Sequence, residues 1–392
     1  MIGPFGFHPN KTMYSRALPL AKSLVARGHE VRLFMPPWHT PQEADRRWDE
    51  KGVSIRYVSL SGGTIGITQR LVSEATGWQP DVVHSFKPKA YSGLAAWWLW
   101  QTRRNQIRLI MDSDDWEGAG GWNDKNPYSP IQKRFFAWQE QWGMTHCHHL
   151  TVASRALETI GLSMGIPQNQ LLYCPNGAGF DGVHPVASDA WYQARASVRE
   201  KLRVGQRPLL LLYSRLFEFD TQRLVAILQQ VKTAVPDLKI LSIGSGLFAD
   251  EADALRRQFT TANLLDSVID AGWLEPADLV DYLAAADVGI YLMEDSLLNR
   301  TKCPVKLADM IRAGLPVVGE MVGQVSEYID NGSNGYLYPT GQTEAISSGI
   351  CRLLQDETLR HQQAAAAQKQ ADRFDWAKRA AELEAVYQGK PA

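Results

Sequence analysis

The sequence predicts an α/β protein built from two domains that each carry a mainly parallel sheet. Its 392 residues suit two domains of ordinary size, each with a core of its own. Short apolar runs alternate with longer segments of helical period, a pattern typical of parallel sheets covered by helices. The alternation occurs twice, on either side of a Gly- and Pro-rich segment at 174–188.

The first half alternates five apolar runs with helical segments. The strands are predicted at 31–35, 54–60, 81–86, 108–111 and 150–153, and the helices at 13–27, 91–101 and 130–142. Residues 1–3 are too short for a full first strand, although 3–6 look like the turn that follows one.

The second half repeats the scheme. Its strands are predicted at 209–214, 239–243, 268–270, 288–292 and 316–318, and its helices at 222–235, 252–259, 278–285 and 304–313. We therefore predict domains at 1–182 and 183–369, with a C-terminal helix at about 370–392 that could pack back on the first domain. Two Rossmann-like domains facing a central cleft would place the active site in that cleft, at the carboxyl ends of the strands.

Composition narrows the class of partner. The 41 Lys and Arg residues nearly balance the 42 Asp and Glu residues, so nucleic acid is not an expected partner. Four widely spaced cysteines favour a reducing compartment, and no apolar run approaches the length of a membrane span, so a cytoplasmic protein is expected. The tryptophan-rich run at 97–100, followed by Arg103 and Arg104, fits either a buried helix whose 97, 100 and 101 face is covered or a peripheral helix at the inner face of a membrane.

The segment at 299–327 carries the strongest functional signal. Pro304 suits a helix start and Gly314 a helix end. Arg300, Lys302 and Lys306 cluster near that start, where the helix dipole ordinarily favours acidic residues. A bound anion would resolve the conflict, and solvated basic side chains are the alternative.

Three further features point to the same ligand chemistry. Asp309 lies one turn after Lys306, where its carboxylate could accept two ribose hydroxyls or form a surface ion pair. Arg215 lies just past an apolar strand end, where it could neutralise a diphosphate or join an interdomain ion pair. Gly244 and Gly246 form a glycine turn after the next predicted strand, a weak signal by itself.

An acidic group follows the strand predicted at 108–111. It comprises Asp112, Asp114, Asp115 and Glu117. These carboxylates could hold a metal, orient sugar hydroxyls or cap the following helix. No supporting metal-ligand pattern accompanies them, so no metal is expected.

Several stretches together resemble the retaining GT-B glycosyltransferases of family 4. They are LAKSLVARGHEVRLF (20–34), QPDVVHSF (79–86), CPNGAGF (174–180), YSRL (213–216), IGSG (243–246), IDAGWLEPADLVDYLAAADVGIYL (269–292) and PVKLADMIRAGLPVVGEMVGQVSEYIDNGSNGYLY (304–338). They cover nearly the whole chain in the order of the family.

The resemblance implies transfer of a sugar from a nucleotide diphosphate donor to an acceptor hydroxyl, without a metal or other cofactor. Arg215 would contact the donor phosphates and Asp309 would replace the ribose-binding glutamate. The same resemblance places Gly244, Gly246 and the Gly272–Trp273 turn along the nucleotide pocket. Gly6, Asn299 and Lys302 complete the expected donor-binding set. The acceptor is expected to be a glycan, a lipid-linked glycan or a small molecule, with peripheral membrane contact as an option.

Three positions depart from the family pattern. The first of two glutamates normally eight residues apart falls on Thr301, the lysine five residues after Arg215 falls on Asp220, and the cleft histidine falls near Asp114. We expect Lys306 or Lys302 to replace the lost lysine, and Thr301 with Asn299 to handle the sugar. The predicted catalytic set is therefore Arg215, Lys306, Asp114 and Thr301.

Two alternatives to a transferase remain, the first because of these departures and the second because a glycine turn also occurs in it. One is a non-catalytic or weakly active binding protein on a degenerate glycosyltransferase fold. The other is a sugar-phosphate epimerase of similar fold, which the hinge and the 300–327 segment fit poorly.

Overall fold

A computed structural model describes residues 1–9, 11–180, 182–244 and 249–390. The chain forms two compact α/β units with Rossmann-like parallel sheets. The first unit contains Met1–Gly177, Ser296–Cys303 and Asp375–Ala392, and the second contains Ala178–Asp295 and Pro304–Phe374. The second domain was predicted as the continuous range 183–369, whereas Ser296–Cys303 belong to the first unit.

The described residues form thirteen strands and sixteen α-helices, in addition to short 3-10 and π turns. The strands are β1 Arg32–Met35, β2 Arg47–Glu50, β3 Val53–Tyr57, β4 Val82–Phe86, β5 Arg108–Ser113, β6 His149–Val152, β7 Leu171–Tyr173, β8 Leu209–Tyr213, β9 Lys239–Ile243, β10 Val268–Asp270, β11 Val288–Tyr291, β12 Val317–Glu320 and β13 Gly335–Tyr338. The helices are α1 Leu18–Ala26, α2 Gly63–Gly77, α3 Ala90–Arg103, α4 Trp122–Lys125, α5 Pro130–Thr145, α6 Arg155–Ser163, α7 Asp189–Lys201, α8 Thr221–Ala234, α9 Ala249–Thr261, α10 Pro276–Ala285, α11 Leu297–Thr301, α12 Val305–Arg312, α13 Val325–Tyr328, α14 Thr343–Gln355, α15 Glu357–Gln368 and α16 Trp376–Tyr387.

In the first unit, Ile2 joins two sets of paired strands. Strands pair in the orders β2-β3-β1 and β4-β5-β6-β7, and only the β2–β3 pair is antiparallel. Ile2 bridges Phe34 of β1 and Ser85 of β4, and its backbone bonds to His84 and Phe86 at 2.9 Å each. The short stretch at residues 1–3 therefore contributes one bridging residue to the sheet and no full strand.

The sheet of the second unit has the order β10-β9-β8-β11-β12-β13, with every pair parallel. In chain order this is 3-2-1-4-5-6, the doubly wound arrangement whose direction of winding switches between its first and fourth strands. The strand interiors are apolar on both faces because helices cover both sides. The largest core cluster of this unit includes Leu210, Ile240, Val288, Val318 and Ile350.

The hydrophobic pattern of the sequence did not predict β2 or β7, because neither strand has a long buried face. β2 has the sequence RWDE and pairs only at a sheet edge, and β7 is three residues long. The expected cover over residues 97 and 101 was wrong, because Trp97 is 40% exposed and Gln101 is exposed, whereas Leu99 is buried. Within the described ranges, no helix combines the length and apolar character that crossing a lipid bilayer requires.

The C-terminal helix α16 packs on α1 in the first unit. Its buried residues Trp376, Ala380 and Leu383 join the cluster that contains Leu20 and Leu24. Glu384 adds an ion pair with Arg27 and a 2.9 Å contact with the His29 ring.

Candidate active site

A glycine turn lies at the carboxyl ends of β9 and β10 in the second unit. Gly244 directly follows β9 and has a φ of +65°, which favours glycine because it lacks a Cβ atom. Its N–H donates to the Gly272 carbonyl at 2.8 Å, and Gly272 itself has a φ of +64°. Two predicted donor-binding glycines therefore meet, while Gly246 lies outside the described residues.

Two cations lie beside this turn. Arg215 follows β8 and precedes the 3-10 turn Leu216–Glu218, and Lys306 lies in the first turn of α12. The Lys306 Nζ is 4.7 Å from the centroid of the Tyr213 ring and 3.7 Å from the place where a Cβ atom on Gly244 would lie. Burial, and then the Arg215 guanidinium, lower the pKa of Lys306 to about 8, although Glu218 and Asp309 oppose the shift.

Asp309 is buried and ties α12 to its surroundings. Its Oδ1 accepts a hydrogen bond from the Gly179 N–H at 2.6 Å, and its Oδ2 accepts one from the Tyr213 hydroxyl at 3.3 Å. Burial raises the pKa of Asp309 to about 7, against the opposing effects of these two donors and of Lys306. In this arrangement the carboxylate positions α12 against β8, and its predicted contact with a ribose stays a prediction.

The arrangement around Lys306 is suited to a doubly charged anion. Two cations close enough to disfavour each other's charge gain most when an anion is placed between them. The first turn of α12 contains no acidic residue, so the positive end of its dipole adds to the same field. A glycine at position 244 keeps the space beside the Lys306 ammonium open.

The predicted sugar-handling residues lie on α11, in the first unit. Thr301 is fully buried, and its hydroxyl donates to the Leu298 carbonyl at 2.9 Å, as a helix residue closing its own turn. Its carbonyl accepts from the Ser154 hydroxyl at 2.7 Å. Asn299 is 5% exposed, and its N–H donates to the capping Ser296 hydroxyl. The catalytic role of Thr301 and the sugar contact of Asn299 stay predictions.

The predicted acidic group forms a buried ion-pair network in the first unit. Lys87 Nζ lies 3.0 Å from both Asp114 Oδ1 and Glu117 Oε1 and 3.4 Å from Asp115, and Lys89 pairs with Glu117 at 2.5 Å. Burial alone would lower the pKa of Lys87, but the three carboxylates raise it well above its usual value. Sequence reasoning missed both lysines, although they directly follow the strand predicted at 81–86.

The other predicted donor-binding residues have distinct surroundings. Lys302 is 7% exposed, and its Nζ lies 5.5 Å from the centroid of the Trp122 ring. Gly6 is buried, and a Cβ atom on it would lie 3.1 Å from the Tyr57 ring, so packing explains this glycine. Trp273 follows the Gly272 turn and is 64% exposed.

A second buried network in the first unit was missed by sequence analysis. Arg16 donates to Asp112 Oδ1 at 2.8 Å and to Oδ2 at 2.7 Å, in the bidentate geometry of a strong pair. Arg16 also donates to Asn176 at 2.9 Å, which lies 160 residues further along the chain. No local pattern marks this arginine, because its partners come from distant strand ends.

Two family models match the chain. The Glycosyl transferase 4-like domain matches residues 13–177, and the Glycosyl transferases group 1 domain matches residues 207–356. The first match lies within the first unit and the second carries Arg215, Gly244, Lys306 and Asp309.

Similar proteins extend over most of the sequence. The phosphatidyl-myo-inositol mannosyltransferase of Mycobacterium leprae is 24% identical over an alignment that covers 99% of this chain and 96% of that protein. The sulfoquinovosyl transferase SQD2 of Arabidopsis thaliana is 22% identical, and the alignment covers 80% of this chain but 57% of that protein. Anabaena HepE, solved in complex with UDP-glucose, has a TM-score of 0.72 at 16% identity, covering 99% of this chain and 98% of that one.

Proposed function

The chain belongs to the GT-B glycosyltransferases of family 4, and on this premise we propose that it transfers a sugar from a nucleotide diphosphate donor to an acceptor hydroxyl with retention of anomeric configuration. The observation that carries the proposal is the pairing of Arg215 and Lys306 beside the Gly244 turn in the second unit. Arg215 follows the carboxyl end of β8, and Lys306 lies in the first turn of α12. Doubly wound sheets bind ligands at such strand ends, and helix starts bind anions.

In this mechanism the two cations stabilise the leaving group. Negative charge grows on the donor diphosphate as the bond to the sugar breaks, and Arg215 and Lys306 would neutralise it together with the start of α12. The acceptor hydroxyl attacks from the face that the diphosphate leaves, and a phosphate oxygen takes its proton. Because the protein supplies the positive charge, we propose that transfer needs no metal ion.

The name of one relative suggests a class of acceptor to propose. The similar protein from Mycobacterium leprae is named for a phosphatidylinositol acceptor. A lipid-linked acceptor is therefore the first class to test, before soluble glycans and small molecules. Free thiols at Cys147, Cys174, Cys303 and Cys351 support a cytoplasmic location for the reaction.

The test is a panel of UDP-, GDP- and ADP-sugars, read first by thermal shift and then by transfer to each acceptor class. We expect one nucleotide class to stabilise the protein and one pair of substrates to give product with the anomeric configuration of the donor, as shown by NMR. Arg215→Ala should lower turnover by about a hundredfold or more. Arg256→Ala, an exposed arginine of the same unit, is the matched control and should leave turnover unchanged. Equal turnover in Arg215→Ala and the control would refute the assignment.

The surroundings of Asp220 and Thr301 favour a second candidate function, that of a non-catalytic binding protein. Asp220, at the place of the family's lysine, caps α8 by accepting from the Gln222 N–H at 2.9 Å, and Thr301 is buried at the place of a family glutamate. Two charges of the family are thus replaced by residues with structural contacts. A non-catalytic binding protein would give the nucleotide-dependent thermal shift without product from any donor and acceptor.

A further inference from the structure

Helix α5 has an inverted distribution of polar and apolar residues. Its buried residues are Gln139, Glu140, Gly143 and Met144. On the opposite side lie Ile131, Phe135, Trp138 and Trp142, whose spacing of four, three and four residues forms one stripe along the helix. Ile131 is 81% exposed, Phe135 39% and Trp138 45%. We call these four residues the apolar stripe.

The orientation of α5 is fixed by its polar side. The Gln139 side chain accepts from the Ala90 N–H at 2.8 Å and donates to the Ala90 carbonyl at 3.0 Å. Glu140 accepts from the Glu117 N–H at 2.8 Å. These bonds would be lost if the helix turned its apolar stripe inward, so the exposed stripe is a stable feature of the fold.

The stripe continues into a row of neighbouring aromatic and imidazole rings. Phe135 and Trp138 stack with centroids 5.8 Å apart, and Trp138 and Trp142 are 6.2 Å apart. Trp142 stacks on His146 at 4.5 Å, and His146 meets Trp100 of α3 at 6.2 Å. The row therefore crosses from α5 to the helix that also presents Trp97.

Cations accompany this row. Arg134 on α5 and Arg103 and Arg104 at the end of α3 are exposed, whereas Lys133 is half-buried and lies 3.7 Å from Asp124. The only carboxylate within α3 and α5 is that of Glu140, which is buried. The outer faces of both helices are thus aromatic and positively charged.

We propose that the apolar stripe and these cations dock the protein on a membrane surface that contains anionic lipids. Tryptophan and phenylalanine side chains favour the boundary between headgroups and acyl chains, and basic residues beside them are attracted to anionic headgroups. A second copy of the chain fits this surface less well, because a twofold contact buries the same patch of both copies and would bring their exposed arginines into one interface. The proposal goes beyond the transfer reaction and involves none of the residues placed at the donor.

The test measures co-sedimentation of the full chain with vesicles of phosphatidylcholine, alone or with about 30% phosphatidylglycerol, without any nucleotide or acceptor. The protein should bind the anionic vesicles, and binding should weaken as salt is raised. Phe135→Ser with Trp138→Ser should reduce the affinity at least about tenfold. Arg103→Gln, Arg104→Gln and Arg134→Gln together should reduce it on the order of a hundredfold, about fivefold for each cation.

The matched control is Leu162→Ser with Tyr192→Ser, two exposed apolar residues on α6 and α7. This variant should bind anionic vesicles like the wild type. Absence of vesicle binding by the wild type, equal loss in the control, or unchanged binding in the Phe135 and Trp138 variant would overturn the proposal. So would a wild-type dimer in size-exclusion chromatography that this variant converts to monomer without any vesicle binding, because the stripe would then be a contact between copies.

Discussion

Lys306 offers a direct test of the anion site, because its charge should change within an accessible pH range. With a pKa of about 8, Lys306 is about 75% charged at pH 7.5 and about 3% charged at pH 9.5 in the free protein. If only the charged form binds a nucleoside diphosphate, the dissociation constant should rise about 25-fold between these pH values. The sign follows from burial and Arg215, which lower the pKa, whereas a bound diphosphate would raise it again.

Other groups around Lys306 do not reproduce this window. The pKa of Tyr213 is raised well above its usual value by burial and by Asp309, so its hydroxyl stays protonated across this range. The Asp309 pKa of about 7 lies below this pH window. The terminal phosphate, with a second pKa of about 6, is fully ionised at both pH values.

The assay is isothermal titration of UDP, GDP and ADP at pH 7.5 and 9.5, with circular dichroism to confirm the fold. Lys306→Arg is the matched variant, since its guanidinium keeps the charge and should make binding independent of pH. Lys306→Gln should weaken binding by about 2 kcal/mol, or about thirtyfold, at pH 7.5 and should also remove the pH dependence. A wild-type affinity that stays constant to pH 9.5, or an equal pH dependence in Lys306→Arg, would refute the reasoning.

Three further variants test other contacts of the two units. Burial raises the pKa of Asp309 from 3.8 to about 7, so the protonated carboxyl contributes stability that is fully present below about pH 4 and is lost as the pH rises through 7. The free energy of unfolding of Asp309→Asn should therefore rise by up to about 4 kcal/mol relative to that of the wild type across this range. A difference in free energy of unfolding that stays constant with pH, as measured in urea, would contradict this. Gly244→Ala and the control Gly205→Ala, both at positive φ, should each lose about 1 kcal/mol of stability, but only Gly244→Ala should weaken nucleotide binding, as measured by titration. Asp112→Ala leaves Arg16 buried without its carboxylate and should cost about 3–5 kcal/mol in chemical unfolding; a loss under about 1 kcal/mol would show that the pair contributes little.

The sheet strands were largely predictable because burial on both faces leaves continuous apolar runs in the sequence. The predicted bounds of β9 and β10 match the observed ones, and the prediction for β8 is one residue too long. β2 was missed because its charged residues pair only at an edge, where burial imposes no apolar pattern. The return of the chain to the first unit at Ser296–Cys303 was also missed, since no local signal in sequence records which core a short helix joins.

The sequence alone determined the family, the α/β class and the identity of the residues that could carry charge near a donor. Strand-end position and motif spacing marked Arg215, Gly244 and Lys306, because these follow from local chain order. Only the tertiary structure decided how those charges are used. It placed Lys306 beside Arg215 and Gly244, committed Asp309 to Gly179 and Tyr213, and turned the polar side of α5 inward. Such outcomes depend on burial and on partners far apart in sequence, which no local pattern encodes.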